Sequence, residues 1–153
     1  MKRRTFLQAA LAGTAALHLG ARAAAGNASI TIDVYKSATC GCCGDWVKHL
    51  QKNGFTVNAR DVANPSDYRD KFGIPQELGS CHTGMVMGYA LEGHVPASEI
   101  KRLLAEKPKA IGLAVPAMPM GSPGMEGHRN DPYDVFLVMA GGKRKVYRHY
   151  GAI

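Results

Sequence analysis

Three of the chain's four cysteines fall within four residues, Cys40-Gly41-Cys42-Cys43, directly behind the run Ile30-Thr31-Ile32-Asp33-Val34-Tyr35. That run reads as a strand over residues 30–36, and Asp45 to Asn53 reads as a helix with Trp46, Val47 and Leu50 on one face, stopped at Gly54. The fold must therefore place a cluster of thiols where a strand hands over to a helix. Cys40 and Cys43 have the C-x-x-C spacing of dithiol redox sites, and Cys40 and Cys42 the C-x-C spacing of a soft-metal chelate. Gly41 lets the backbone turn tightly between them. Redox exchange, metal binding or both are open at this point.

The rest of the chain supplies the partners of that first unit. Phe55 to Val62 reads as a second strand, and Asn64-Pro65-Ser66 opens a short helix to about Phe72, ended by Gly73 and Pro75. Met85 to Leu91 reads as a strand, Glu92-Gly93 as a tight turn and His94-Val95 as the partner strand. Ser98 is the expected cap of a helix through Ile100, Leu103 and Leu104 that ends near Lys107-Pro108. This β-α-β-α-β-β-α order is the thioredoxin order. It predicts an α/β thioredoxin-like fold with a central mixed sheet and flanking helices, plus a C-terminal hairpin, Tyr133 to Ala140 and Lys143 to Tyr150, turning at Gly141-Gly142. Gly112 to Asp131, rich in Gly, Pro and Met, is expected to be an ordered or ligand-ordered loop with neither helix nor regular strand.

Residues 1–25 read as a signal peptide. Lys2, Arg3 and Arg4 precede an Ala/Leu stretch from Phe6 to Leu19 too short for a good membrane span, and Ala21-Arg22-Ala23 or Ala23-Ala24-Ala25 offers the cleavage site. Arg3-Arg4-Thr5-Phe6-Leu7 has the twin-arginine pattern. The reading leaves residues 26–153 as one domain, periplasmic, with no stable membrane insertion once the signal is removed. Much of the formal charge of +7 belongs to the leader, since the remainder carries 15 Lys and Arg against 12 Asp and Glu. Lys143-Arg144-Lys145 with Arg148 lacks the aromatic interleaving of a nucleic-acid site, so no nucleic acid is expected. In an exported protein four cysteines should be disulfide-bonded, metal-bound or cycling between states.

A helix N-terminus favours thiolate, which is both nucleophile and metal ligand. Cys40 and Cys43 are the candidate catalytic redox pair, with a static staple as the plain alternative. Cys81, ahead of the third strand, can complete a four-sulfur site or pair with Cys42, and His82 beside it is a ligand, a proton carrier or a loop hydrogen-bond partner. Met118, Met120 and Met125 stand in a loop, where core methionines do not belong, and thioethers are soft donors suited to Cu(I). Met85, Met87 and Met139 read as core. His49, His94 and His149 default to surface roles, and His128 is a lesser ligand candidate.

These segments together resemble the periplasmic thioredoxin-like copper proteins of the CopG type, long catalogued as a domain of unknown function. The resemblance runs through Val34-Tyr35-Lys36-Ser37, Cys40-Gly41-Cys42-Cys43 with Trp46, Ser80-Cys81-His82-Thr83, Glu92-Gly93-His94-Val95-Pro96, Gly112-Leu113-Ala114-Val115-Pro116, Met118-Pro119 and Gly121-Ser122-Pro123-Gly124-Met125-Glu126. It implies copper, as Cu(I) and in a multinuclear form, held by the cysteines with nearby sulfur or histidine ligands, and a role in copper resistance through copper redox. Residues and resemblance together give a metal set of Cys40, Cys42, Cys43, Cys81, Met118, Met125 and His82. Its partners are copper ions and other periplasmic copper-resistance proteins. Storage or delivery without turnover, a thiol–disulfide oxidoreductase and a structural Cys3His zinc site are the competing readings, and the sequence does not separate reductase from chaperone. No proline immediately precedes the third strand, where dithiol enzymes of the thioredoxin type place one, which disfavours general exchange with protein substrates.

Overall fold

The computed structural model describes residues 29–151, so the expected signal peptide and its twin-arginine pattern lie outside the described residues. Seven strands form one sheet in the order β2-β1-β3-β4-β5-β6-β7. They are β1 (Thr31–Lys36), β2 (Thr56–Asp61), β3 (His82–Val86), β4 (Tyr89–Gly93), β5 (Gly112–Val115), β6 (Tyr133–Val138) and β7 (Arg144–Tyr150); the helices are α1 (Gly41–Lys52), α2 (Pro65–Lys71) and α3 (Ala97–Glu106). β1/β2 and β4/β5 pair in parallel and the remaining neighbours antiparallel. The chain therefore runs β-α-β-α-β-β-α as expected, and the C-terminal hairpin extends the same sheet.

Strand alternation explains why both faces of this sheet are covered. Leu91 and Leu113 point into a core with Ile32, Val34, Trp46, Leu50, Ile100 and Leu103, which seats α1 and α3. Their neighbours Ala90 and Ala114 point the other way, against Ile74, Leu78 and Val138, where Phe72 from the end of α2 packs. Trp46 anchors α1 by donating from Nε1 to Val95 O at 2.9 Å.

Four local expectations are corrected. The β3/β4 hairpin turns at Met87-Gly88 rather than Glu92-Gly93, because Met87 (φ 45°) and Gly88 (φ 85°) adopt the paired positive φ that a two-residue turn between twisted strands needs. Met87 is consequently 68% exposed instead of core, and His94 is fully buried instead of superficial. Gly112–Val115 is a regular strand between β4 and β6. Its glycine is what lets it lie there, since a Cβ at Gly112 would overlap the backbone of Ala90. Helix α1 starts at Gly41, four residues before the expected Asp45, so Cys42 and Cys43 occupy its first turn and Cys40 its N-cap position. Helix α3 starts at Ala97, and the side chain that meets its free N–H groups is not Ser98 but His49 of α1, whose Nε2 accepts from Ala97 N at 3.1 Å.

Candidate metal centre

Register brings four segments to one end of the sheet. Lys36 at the end of β1 pairs with His82 at the start of β3, Thr83 pairs with Glu92 near the end of β4, and Gly93 pairs with Val115 at the end of β5. The chain leaves or enters the sheet there at residues 37–40, 79–81, 94–96 and 116–125. The cysteine motif, Cys81, His94 and the methionine loop meet for that topological reason.

Cys40 and Cys43 are joined by a disulfide, with Cα atoms 5.4 Å apart, and Cys42 and Cys81 are free. The four sulfurs all lie within 4.8 Å of one another. Cys42 Sγ is 3.5 Å from Cys40 Sγ and 4.0 Å from Cys81 Sγ, and Cys43 Sγ is 3.2 Å from Cys81 Sγ. Two sulfurs bound to one ion at about 2.3 Å each stand at most about 4.6 Å apart, so these contact separations suit shared coordination once the disulfide is reduced.

The methionine loop folds over this cluster. Gly124, at φ 88°, lies against the first turns of α1, where a Cβ would stand 2.7 Å from Trp46 N and 2.9 Å from Cys42 O. Ala117 (φ 62°) and Met118 (φ 47°) are consecutive non-glycine residues in the left-handed region, a conformation of order 1–3 kcal/mol each in cost that gathers at functional sites. The bend brings Met118 Sδ to 2.9 Å from Cys81 Sγ and 3.8 Å from Cys42 Sγ. Met125 makes no such contact; its backbone N donates to Ser122 O and its carbonyl accepts from Gly121 N. Met120 sits against Gly127, and His128 is exposed.

His82 is fully buried. Its Nε2 lies 2.9 Å from Gly93 O, and since a carbonyl only accepts, Nε2 carries the proton and Nδ1 is left with a lone pair, 3.6 Å from Cys81 Sγ. Sequence reasoning missed His94. A ring nitrogen of each of His82 and His94 lies within 4.8 Å of Cys81 Sγ and of the other. The two rings stack at 5.2 Å, and His82 also packs on Trp46 at 4.4 Å. The readable signal was Gly88: placing the turn there moves Gly93-His94 to the sheet end.

Electrostatics at the site follow burial. Desolvation, then the neighbouring Cys42 thiol, pushes the Cys81 thiol up to about 12. Burial lowers His82 to about 3, with His94 adding to it, and lowers His94 to about 4. At neutral pH the site therefore holds a protonated Cys81 thiol and neutral imidazoles, and Cys81, which lies outside α1, has no helix N-terminus to offset its burial. A metal cation would supply the charge that displaces that proton.

A buried ion pair fixes the segment that leads into Cys81. Glu92, fully buried, accepts from Arg69 Nε at 2.9 Å, Ser80 N at 2.6 Å and Thr83 Oγ1 at 2.7 Å. Arg69 also donates to Ser80 O at 2.6 Å and Gln76 Oε1 at 2.8 Å. Burial raises the Glu92 carboxyl against the pull of these donors. Beside this pair, a cavity of about 310 Å³ is lined by Ser37, Asn64, Ser66, Arg69, Ser80 and Cys81.

The family described as a protein of unknown function, DUF411, matches residues 78–125. Two solved structures of the copper resistance protein CopG, form 1 and form 2, are each 46% identical with a TM-score of 0.76; the match covers 80% of this chain and 98% of theirs. No curated protein sequence matches. Among the described residues no helix is long and apolar enough to cross a membrane.

Proposed function

From a chain that belongs to the family of the copper resistance protein CopG, we propose a copper-handling function in which copper is the substrate, bound as Cu(I) and exchanged between Cu(I) and Cu(II). The observation that carries the reading is the convergence of four cysteine sulfurs and the Met118 thioether in one pocket. Such a donor set is soft throughout and selects Cu(I) over harder ions. Met118 also leaves a structural zinc site without a role for its thioether, since such sites use thiolate and imidazole.

The Cys40/Cys43 pair supplies the redox half. Two thiolates give up two electrons to two Cu(II), forming one disulfide and two Cu(I); the reverse step reduces the disulfide and returns two Cu(II). Cys42, between the pair in sequence and free in the disulfide form, holds copper with Cys81 and Met118 while the pair changes state. His82 is the nitrogen donor nearest Cys81, and Met125, at the far end of the loop, joins the set on loading. We read the β-α-β-α-β-β-α core as thioredoxin-like, with the cysteine pair at the junction that fold uses for its dithiol, and the chain as an exported, periplasmic protein on the pattern of residues 1–25.

Two substitutions test the division of labour by thiol counting in a defined redox buffer beside a copper titration. Cys42→Ser should weaken copper binding and leave the Cys40–Cys43 disulfide able to form, while Cys43→Ser should remove both capacities. A Cys42→Ser protein that binds copper like the parent would contradict the proposal.

A further inference from the structure

The net charge of the domain is concentrated in one strand. Residues 143–150 carry Lys143, Arg144, Lys145 and Arg148 and no acidic residue, while the rest of residues 26–153 holds 11 Lys and Arg against 12 Asp and Glu. That strand, β7, is the last in the sheet, with β6 as its neighbour. The opposite edge, β2, is neutralised where it stands, since Arg60 pairs with Asp33 at 3.3 Å and Asp61 with Lys36 at 2.6 Å. On β7, Arg144 reaches Glu77 only at 4.0 Å, and Lys143, Lys145 and Arg148 have no ion-pair partner among the described residues.

The backbone of β7 is open at its start. Met139 N donates to Lys143 O at 2.8 Å, so Lys143 turns its carbonyl toward β6. Val138, opposite Arg144, gives its own carbonyl to Ile111 N at 2.7 Å, on the β5 side. Antiparallel pairs alternate, so Arg144 turns both its N–H and its C=O to the free edge. Further along, at the bulge, Tyr147 O accepts from Arg102 Nη1 at 3.1 Å. The side chains divide by face. Lys145 and Arg148 sit opposite Leu137 and Val135 on the α3 side of the sheet, whereas Arg144 and Val146 sit opposite Val138 and Phe136 on the other. Val146 is 52% exposed, and Phe136 beside it is only partly buried. One face of this edge is cationic, and the other offers apolar surface.

Cations on an edge strand guard against pairing with another copy. A second β7 would set cation against cation, which opposes pairing, but an acidic strand meets the reverse. We propose that β7 accepts, as an eighth strand, an extended segment of another protein in which acidic and apolar residues alternate. Its acidic side chains lie over Lys145 and Arg148, its apolar ones over Val146 and Phe136, and its backbone bonds to Arg144. β7 is four strands from β3, about 19 Å at ordinary strand spacing, so the docked segment leaves the cysteine cluster uncovered.

The probe is a short peptide of alternating Glu and Val, capped at both ends and added to the purified protein, with a Lys-for-Glu peptide as its control. Fluorescence anisotropy reads binding, and amide exchange by nuclear magnetic resonance reads the place. The Glu peptide should bind, less tightly as salt rises, and slow exchange of the Arg144 N–H, while the Lys peptide should bind about tenfold or more weakly. Lys145→Glu with Arg148→Glu should reverse that preference and leave Cu(I) binding by the reduced chain unchanged. Loss of Cu(I) binding by the parent would sink the copper reading alone, since nothing on β7 depends on it. Equal binding of the two peptides to the parent, a comparison that needs no variant to fold, would overturn the proposal. A bound Glu peptide with Arg144 exchange unchanged would do the same. Dimers of the parent in sedimentation, with Arg144 protected before any peptide is added, would assign the edge to a second copy and overturn it too. So would protein held by phosphatidylglycerol vesicles with the Glu peptide left unbound.

Discussion

Lowering the pH of the metal-free disulfide form should remove stability through the two buried histidines. Each ring titrates near 6.5 when unfolded, but burial holds His82 at about 3 and His94 at about 4 in the folded chain. Below about pH 6.5 the unfolded state takes up protons that the folded state refuses, so stability falls as pH falls and continues to fall until the folded pKa values are reached. At about pH 5 each ring is about 1.5 units below its unfolded pKa. At about 1.4 kcal/mol per unit, the loss relative to about pH 8 is about 2 kcal/mol per ring. Glu92, whose carboxyl is raised by burial, works in the other direction over its own range. Comparison of variants isolates the histidine share. Urea unfolding of metal-free parent, His82→Asn and His94→Asn at a series of pH values is the assay. Each variant should lose about 2 kcal/mol less than the parent between about pH 8 and about pH 5, whatever its absolute stability. Variants with the parent's slope over that interval would refute the assignment of buried neutral rings.

Two further outcomes follow from the contacts around the site. Arg69→Met leaves the Glu92 carboxylate buried without its cation and should cost about 3–5 kcal/mol by chemical unfolding, while Arg69→Met with Glu92→Leu should recover part of that loss. Met118→Leu should lower Cu(I) affinity by about tenfold or more in competition with a cuprous chelator, about 1.4 kcal/mol, and cost less than about 1.5 kcal/mol of stability. Met125→Leu, at a residue with no sulfur contact in the disulfide form, should weaken binding less.

Much of the layout was legible because the strongest local signals agreed. The strand before Cys40, the Trp46 helix face and the Pro65 helix start each lie where periodicity and punctuation put them. The misplaced β3/β4 turn and the missed β5 share a cause: glycine marks both turns and places where backbones touch. Gly93 looked like a hairpin turn beside a charged Glu92, yet Glu92 is buried with Arg69, and Gly93 has φ 70° at a strand end crowded by Ser80. That reading displaced the turn by five residues and sent His94 to the surface. Gly112 likewise suggested a loop, where the absence of a side chain instead admits a central strand beside Ala90. At the site, residue chemistry singled out the cysteines, His82 and Met118, and the fold brings them together. Only pairing register, which no local pattern carries, could bring His94 to Cys81 and leave Met125 without a sulfur contact.

The central claim, that the Cys40/Cys43 pair exchanges electrons with copper held beside it, is tested most directly by anaerobic mixing of the fully reduced chain with Cu(II). Cuprous ion would be counted with a chelator after denaturation, and the new disulfide mapped by peptide mass spectrometry. The account predicts two Cu(I) for each disulfide formed, located between Cys40 and Cys43, with Cu(I) retained by the protein until it is denatured. Copper that stays as Cu(II), thiols lost without a Cys40–Cys43 bond, or Cu(I) released free into solution would contradict it.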